Sequence, residues 1–178
     1  MKHAYVLLFS AGLGMPTSQG QQQFYADPFG DQHNTATGWV TNAGQLLGTD
    51  MLPASGVYAY TDGYGMSIWL MEKSSFRLSK IISDTIPGNN DTTLCVNLAA
   101  AGKAKSIAPV PYRELPGYNN YYYPHTDSSA EDVINYHREV YWEVWDGISM
   151  QFYTSRGGPK LAFVCEPGTD PAEILLAC

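Results

Sequence analysis

Charge is scarce in this 178-residue sequence: Asp, Glu, Lys and Arg together make up 15%, where about a quarter is usual for a globular domain. Lys and Arg number 10 and the formal net charge is −7. Sequence-independent nucleic-acid binding needs clustered cations that displace counterions from phosphates. Arg77/Lys80 and Lys103/Lys105 come nearest to such a cluster and are too small, which excludes a nucleic-acid partner. Cysteine is also sparse. Cys95, Cys165 and Cys178 form an odd set with no Cys-x-x-Cys spacing, so neither a disulfide framework nor a zinc ribbon is expected. Cys95 and Cys165 fall in predicted strands, where a free Cys behaves as a small buried hydrophobe. A bridge between them requires those strands to face each other.

Long apolar runs are missing as well, and no stretch is long enough to span a bilayer as a helix. Ala4 to Ala11, preceded by Lys2 and His3, has the charged and apolar regions of a signal peptide over residues 1–20, with Ser18-Gln19-Gly20 as its cleavage site. Gly12 and Gly14 interrupt the run early, which favours a buried first strand instead.

Catalytic signatures are absent in turn. There is no Gly-x-Ser-x-Gly elbow, and no cysteine has a neighbouring His within a family signature. Gly12-Leu13-Gly14 lacks the third glycine and the helix that a dinucleotide site requires. Glu143 and Asp146 are three apart on a predicted strand and so on opposite faces, unsuited to a glycosidase pair. The expectation is a protein that is not an enzyme and carries no cofactor.

What the sequence does contain is β pattern. Hydrophobic residues reach 44%, and Gly 17, Pro 11 and Tyr 13 imply many turns and a polar, weakly charged surface. Ser128 and Ser129, followed by Glu131 and Asp132, read as the start of a short helix with Val133, Ile134 and His137 on one side. From Val140 the period changes to two, with Val140, Trp142 and Val144 alternating with Tyr141, Glu143 and Trp145. Asp146-Gly147 is a hairpin signal. Ile148, Met150, Phe152 and Thr154 follow in phase, then a turn at Ser155 to Pro159, then Leu161, Phe163 and Cys165. This C-terminal β-meander is the clearest feature of the chain.

Upstream, strands are expected at Thr37–Thr41, Val57–Tyr60, Met66–Glu72, Phe76–Ile86, Thr93–Leu98 and Ser106–Tyr112, the last weakened by Pro109 and Pro111. Asn42–Ala54 reads as a loop with room for one helical turn, and Leu115–Asp127 as a long Tyr-rich loop. Thr169 to Glu173 opens a terminal helix with Pro171 at its first position. Met15 to Ala36 is polar and rich in Gly, Gln and Asn; such a segment orders only against something else, the domain's own sheet or a neighbouring subunit. The domain reading is therefore an N-terminal strand and extended polar arm over residues 1–36, and one β-rich globular domain over 37–178. The fold expected is mainly β, an antiparallel sandwich or jelly-roll-like barrel with one short helix before the meander. An α+β arrangement is the alternative.

Three surface features invite a functional reading. Tyr118, Tyr121, Tyr122 and Tyr123, with Trp142 and Trp145, offer large apolar faces, most with polar tips, suited to protein interfaces or sugar stacking, and the tyrosine rings suit equally well a cover over the domain's own sheet. Asp27, Asp31 and His33 lie close enough in sequence to hold a metal with a fourth ligand from elsewhere, but short loops rich in Asp and His are common and a solvated loop is the preferred reading. His125 and Asp127 suit an oriented base, but a helix cap and a packed His account for them too. The leading expectation is a structural, self-assembling protein: a virus or phage particle component (capsid, decoration or tail subunit) with its own copies and other particle proteins as partners. A secreted or surface carbohydrate-binding β-sandwich is the alternative, and a metal-dependent hydrolase the third. The location expected is virion or extracellular.

Overall fold

A computed structural model describes residues 5–9, 38–47, 52–63, 66–82, 92–122, 129–155 and 158–178. The fold is mainly β. Among the described residues eleven strands form one antiparallel network: β1 (Tyr5–Phe9), β2 (Trp39–Thr41), β3 (Val57–Gly63), β4 (Met66–Met71), β5 (Ser75–Ile82), β6 (Thr92–Ala100), β7 (Val110–Tyr122), β8 (Ser129–Trp145), β9 (Ile148–Ser155), β10 (Gly158–Cys165) and β11 (Leu176–Ala177). Their order is β1-β10-β9-β8-β2-β3-β4-β5-β6-β11, with β7 off this path and paired to β8.

β8 organises the network. One of its edges is shared: Asn135 and Tyr136 pair with β2, while Arg138 to Trp145 pair with β9. Its other edge pairs with β7 from Ser129 to Val140. The sheet therefore curls about β8. Trp39, Ile68, Leu70 and Phe76 from β2, β4 and β5 meet Tyr141, Trp145, Phe152 and Phe163 from β8, β9 and β10 in one buried cluster. This is the two-layered, sandwich-like packing expected of antiparallel strands with one apolar face.

The meander forms as its alternation predicts. The β9–β10 register sets Leu161 opposite Phe152, Phe163 opposite Met150 and Cys165 opposite Ile148, so in-phase apolar residues share the core face. Asp146 and Gly147 make the β8–β9 turn, with Gly147 at φ 65°. Gly38 is needed for a different reason. A Cβ there would stand 2.7 Å from the Tyr136 carbonyl oxygen, so β2 lies against β8 only because the side chain is missing.

Polar anchors fix the ends of the layers. The Tyr141 hydroxyl sits 2.8 Å from both the Met71 and Ser75 carbonyls, tying β8 to the β4–β5 turn. Trp145 Nε1 donates to the Ala101 carbonyl at 3.0 Å. Buried Ser74 has a left-handed φ of 51° yet leaves little unsatisfied: its Oγ donates to the Lys105 carbonyl at 2.6 Å and accepts from Ile107 N at 3.2 Å. Ser74→Ala strands both groups and should lower stability by about 1–3 kcal/mol in denaturant titration.

Four expectations are corrected. Ser129 to His137 is not a helix but the first half of β8, paired along its length with β7 and at Asn135 and Tyr136 with β2 as well. A register shift between Asn119 and Tyr121, with Asp132 at φ 54°, inserts a bulge that leaves buried Ala130 and Val133 three apart. That spacing imitates a helical face. Leu115 to Tyr122 is not a loop but most of β7, because an edge strand tolerates Pro111 and Pro116 where a central strand would not. The terminal helix is a 3-10 turn, Pro171–Glu173, capped by the Asp170 carboxylate accepting from Ala172 N. The three cysteines are free, and Cys95 is exposed rather than buried. Among the described residues there is no α-helix, and so none long and apolar enough to cross a membrane. The β1 strand pairs with β10 over Tyr5–Phe9. The rest of the expected N-terminal strand and polar arm, residues 1–4 and 10–36, lies outside the described residues.

Candidate functional site

The expected aromatic residues fall mainly on one ribbon, β7 with the adjoining β8. Among the described residues β7 pairs with β8 alone, so its outer edge keeps open backbone donors and acceptors. Gly117, at φ 88° within the register shift between Glu114 and Tyr118, lets the strand bend past Pro116. Along this ribbon Tyr118 is 62% and Tyr122 65% exposed, and Val110 and Tyr112 are about half exposed. At roughly 3.3 Å per residue, the thirteen residues of β7 span about 40 Å.

The remaining aromatics divide. Tyr121 is half-buried, with its hydroxyl 3.3 Å from that of Tyr60; burial, then that contact, pushes the Tyr60 hydroxyl pKa upward. Tyr121 is thus a link between β7 and β3 as well as a surface group. Trp142 is 50% exposed and sits two residues beyond Val140, the partner of Val110. Trp145 is 1% exposed and belongs to the core, against Phe163 at 6.0 Å. The strict alternation expected between them fails because a second bulge, with Glu143 at φ 50°, intervenes between Tyr141 and Trp145. Four residues, Arg138 to Tyr141, are buried, the next two are exposed and the last two are buried again. Trp145 is therefore withdrawn from the surface set. Tyr123, His125 and Asp127 lie outside the described residues.

Electrostatics give the ribbon a sign. Glu131 and Asp132 are exposed at the end where Tyr122 pairs with Ser129. Repulsion from the Glu131 carboxylate, then desolvation, a hydrogen bond to Glu131 and the charge of Asp132 push the Tyr122 hydroxyl pKa up. At the other end the Arg138 guanidinium lies 5.1 Å from the Tyr112 ring centre, a cation–π contact that orients the ring. Tyr112 is a site residue that the tyrosine cluster did not reveal. The signal for it was present in Pro109 and Pro111, which mark an edge strand on either side of the approach to an aromatic residue.

Asp27, Asp31 and His33 lie outside the described residues. Among the described residues no three His, Cys, Asp or Glu side chains gather as a metal site. Ser155 and Gly158 close the β9–β10 turn through Ser155 Oγ, which is 3.3 Å from the Gly158 carbonyl. What the ribbon offers chemically is aromatic faces, open backbone hydrogen-bonding groups and carboxylates.

Neither the curated proteins nor the solved structures give a match to this chain. Residues 39–178 match DUF7948, a domain of unknown function, and the chain belongs to that family.

Proposed function

We propose that this protein is a structural, self-assembling subunit, of the kind that builds virus or phage particles as a capsid, decoration or tail component. The observation that carries this reading is the open edge of β7 with Tyr112, Tyr118 and Tyr122 exposed along it. Tyr gives contact area at small entropic cost, and a strand edge gives directional hydrogen bonds to a second chain. Scarce charge supports the same conclusion, because few ions must be desolvated when such surfaces meet. The partners are other copies of the chain and other particle proteins.

Replacing Tyr118 and Tyr122 together by Ser tests the reading. Both side chains are exposed, so the melting temperature should stay within a few degrees, while the assembled fraction at a fixed concentration falls at least tenfold in sedimentation velocity. An unchanged assembled fraction refutes the role given to these residues. Carbohydrate binding is the second reading, favoured by the exposure of Tyr118, Tyr122 and Trp142 within a single copy, as stacking platforms require. A glycan screen in which a monomer binds, and the Tyr118/Tyr122 variant does not, would replace the first reading by the second.

A further inference from the structure

We propose that copies of this chain join head to tail, the β5–β6 hairpin of one copy docking against the β7–β8 ribbon of the next. This rests on the self-assembly reading above and names the surface that the ribbon meets.

The hairpin is an unusual part of the fold. Thr93 to Asn97 are all exposed, although successive side chains on a strand point to opposite faces. Both faces of β6 therefore stand clear of the body there. The β5–β6 register pairs Phe76 with Leu98, Leu78 with Val96, and Lys80 with Leu94. These pairs lie on one face, so the apolar stripe that begins in the core at Phe76 runs outward past its cover. Leu94, Val96 and Ile82 end up between 42% and 53% exposed. Among the described residues the β6 edge is open as well: β11 pairs only with Ala99 and Ala100. No proline and no charge occurs from Thr92 to Ala101 to guard that edge, whereas solitary proteins usually place one there.

Charge selects the occupant. Strands β5 and β6 carry Arg77 and Lys80 and no carboxylate, in a chain whose net charge is −7. Arg77 Nε donates to Asn97 Oδ1 at 2.7 Å, which holds the guanidinium over β6 beside the open edge. Asp84 and Asp91, in the connecting segment, lie outside the described residues. On the ribbon, β7 and the first half of β8 carry exposed Glu114, Glu131 and Asp132 against exposed Arg113, while the next cation, Arg138, is buried against Tyr112. Pairing hairpin with hairpin sets cation against cation, and pairing ribbon with ribbon sets carboxylate against carboxylate. Hairpin on ribbon brings opposite signs together, aliphatic Leu94 and Val96 against aromatic Tyr118 and Tyr122, and two open strand edges into register distance. A contact between two different patches repeats from copy to copy, giving a ring or a filament rather than a closed dimer.

Two charge-reversed full-length chains test this. The hairpin variant is Arg77→Glu with Lys80→Glu; the ribbon variant is Glu131→Lys with Asp132→Lys. Circular dichroism and melting establish first that each is folded. Each alone should sediment as a single copy at concentrations where the wild type assembles, because each presents two patches of like sign. An equimolar mixture should assemble again, and raising salt from about 0.05 to 0.5 M should weaken the wild-type assembly at least tenfold. Assembly by the ribbon variant alone, or a Cys95–Cys95 cross-link under mild oxidation, would indicate symmetric hairpin pairing and overturn the proposal. Assembly unchanged in both variants also overturns it, yet leaves the self-assembly reading standing. A wild type that stays a single copy at every concentration removes that reading itself.

Discussion

Phe152→Ala should cost about 3–5 kcal/mol of folding stability, the range for truncating a buried aromatic. Phe152 is 1% exposed and its ring meets three others: Phe76 at 4.9 Å, Trp39 at 5.8 Å and Tyr141 at 6.0 Å, with interplanar angles of 66° to 71°. Those neighbours come from β5, β2 and β8, so one ring joins both layers and the strand that links them. Each edge-on contact adds roughly 0.5–1.5 kcal/mol beyond simple burial. Trp39 and Tyr141 are large and anchored in strands, so they cannot collapse into the space, and a cavity remains. Total stabilities of single domains are about 5–15 kcal/mol, so the loss is a large share. Guanidinium titration should show a much lower midpoint. Trp142→Ala, at an exposed bulge, should move it by no more than about 0.5 kcal/mol. Equal effects from the two substitutions would refute the placement of the core.

The second large effect depends on pH. Glu139 is 2% exposed on β8, directly across from Phe152. Burial pushes its carboxyl pKa up to about 8. In the unfolded chain the same group titrates near 4.3. Between these values the folded protein holds a proton that the unfolded chain releases. Glu139 therefore contributes fully below about pH 4, and its contribution is lost progressively as pH rises to about 8. The difference is on the order of 3–5 kcal/mol. Glu139→Gln keeps the shape and removes the titration. The variant should match the wild type near pH 5 to within about 1 kcal/mol and exceed it in stability above pH 8. Parallel stability curves for the two proteins from pH 5 to 9 would show that Glu139 stays charged in the fold.

The legible parts of this fold were those where local pattern and final pairing agree. The β8–β9–β10 meander could be read because Asp146-Gly147 fixes the turn and Ile148, Met150 and Phe152 keep strict alternation on a two-layer core. The first half of β8 could not, because a bulge at Asp132 converts period two into an apparent helical spacing. Trp145 was misplaced on the surface for the same reason: the Glu143 bulge turns it into the core, while Trp142 stays exposed. Bulges depend on the partner strand, and one strand's sequence carries little trace of them. β7 was hidden by composition. Pro111, Pro116 and Gly117 suggest a loop, yet an edge strand needs hydrogen bonds on one side only. The tyrosines were visible as a group, but their division into exposed Tyr118 and Tyr122 and the Tyr121–Tyr60 link depends on how β7 lies against β3. The basic Arg77/Lys80 pair was visible too. Its significance lies in the open β6 edge beside it, which only the pairing order displays.

The most direct test of the account is the mass of the full-length chain, measured by light scattering over a hundredfold range of concentration at low salt. Self-assembly predicts a weight-average mass that climbs with concentration to several multiples of the 19.6 kDa of one copy. A folded chain that holds the mass of one copy over the whole range would contradict it.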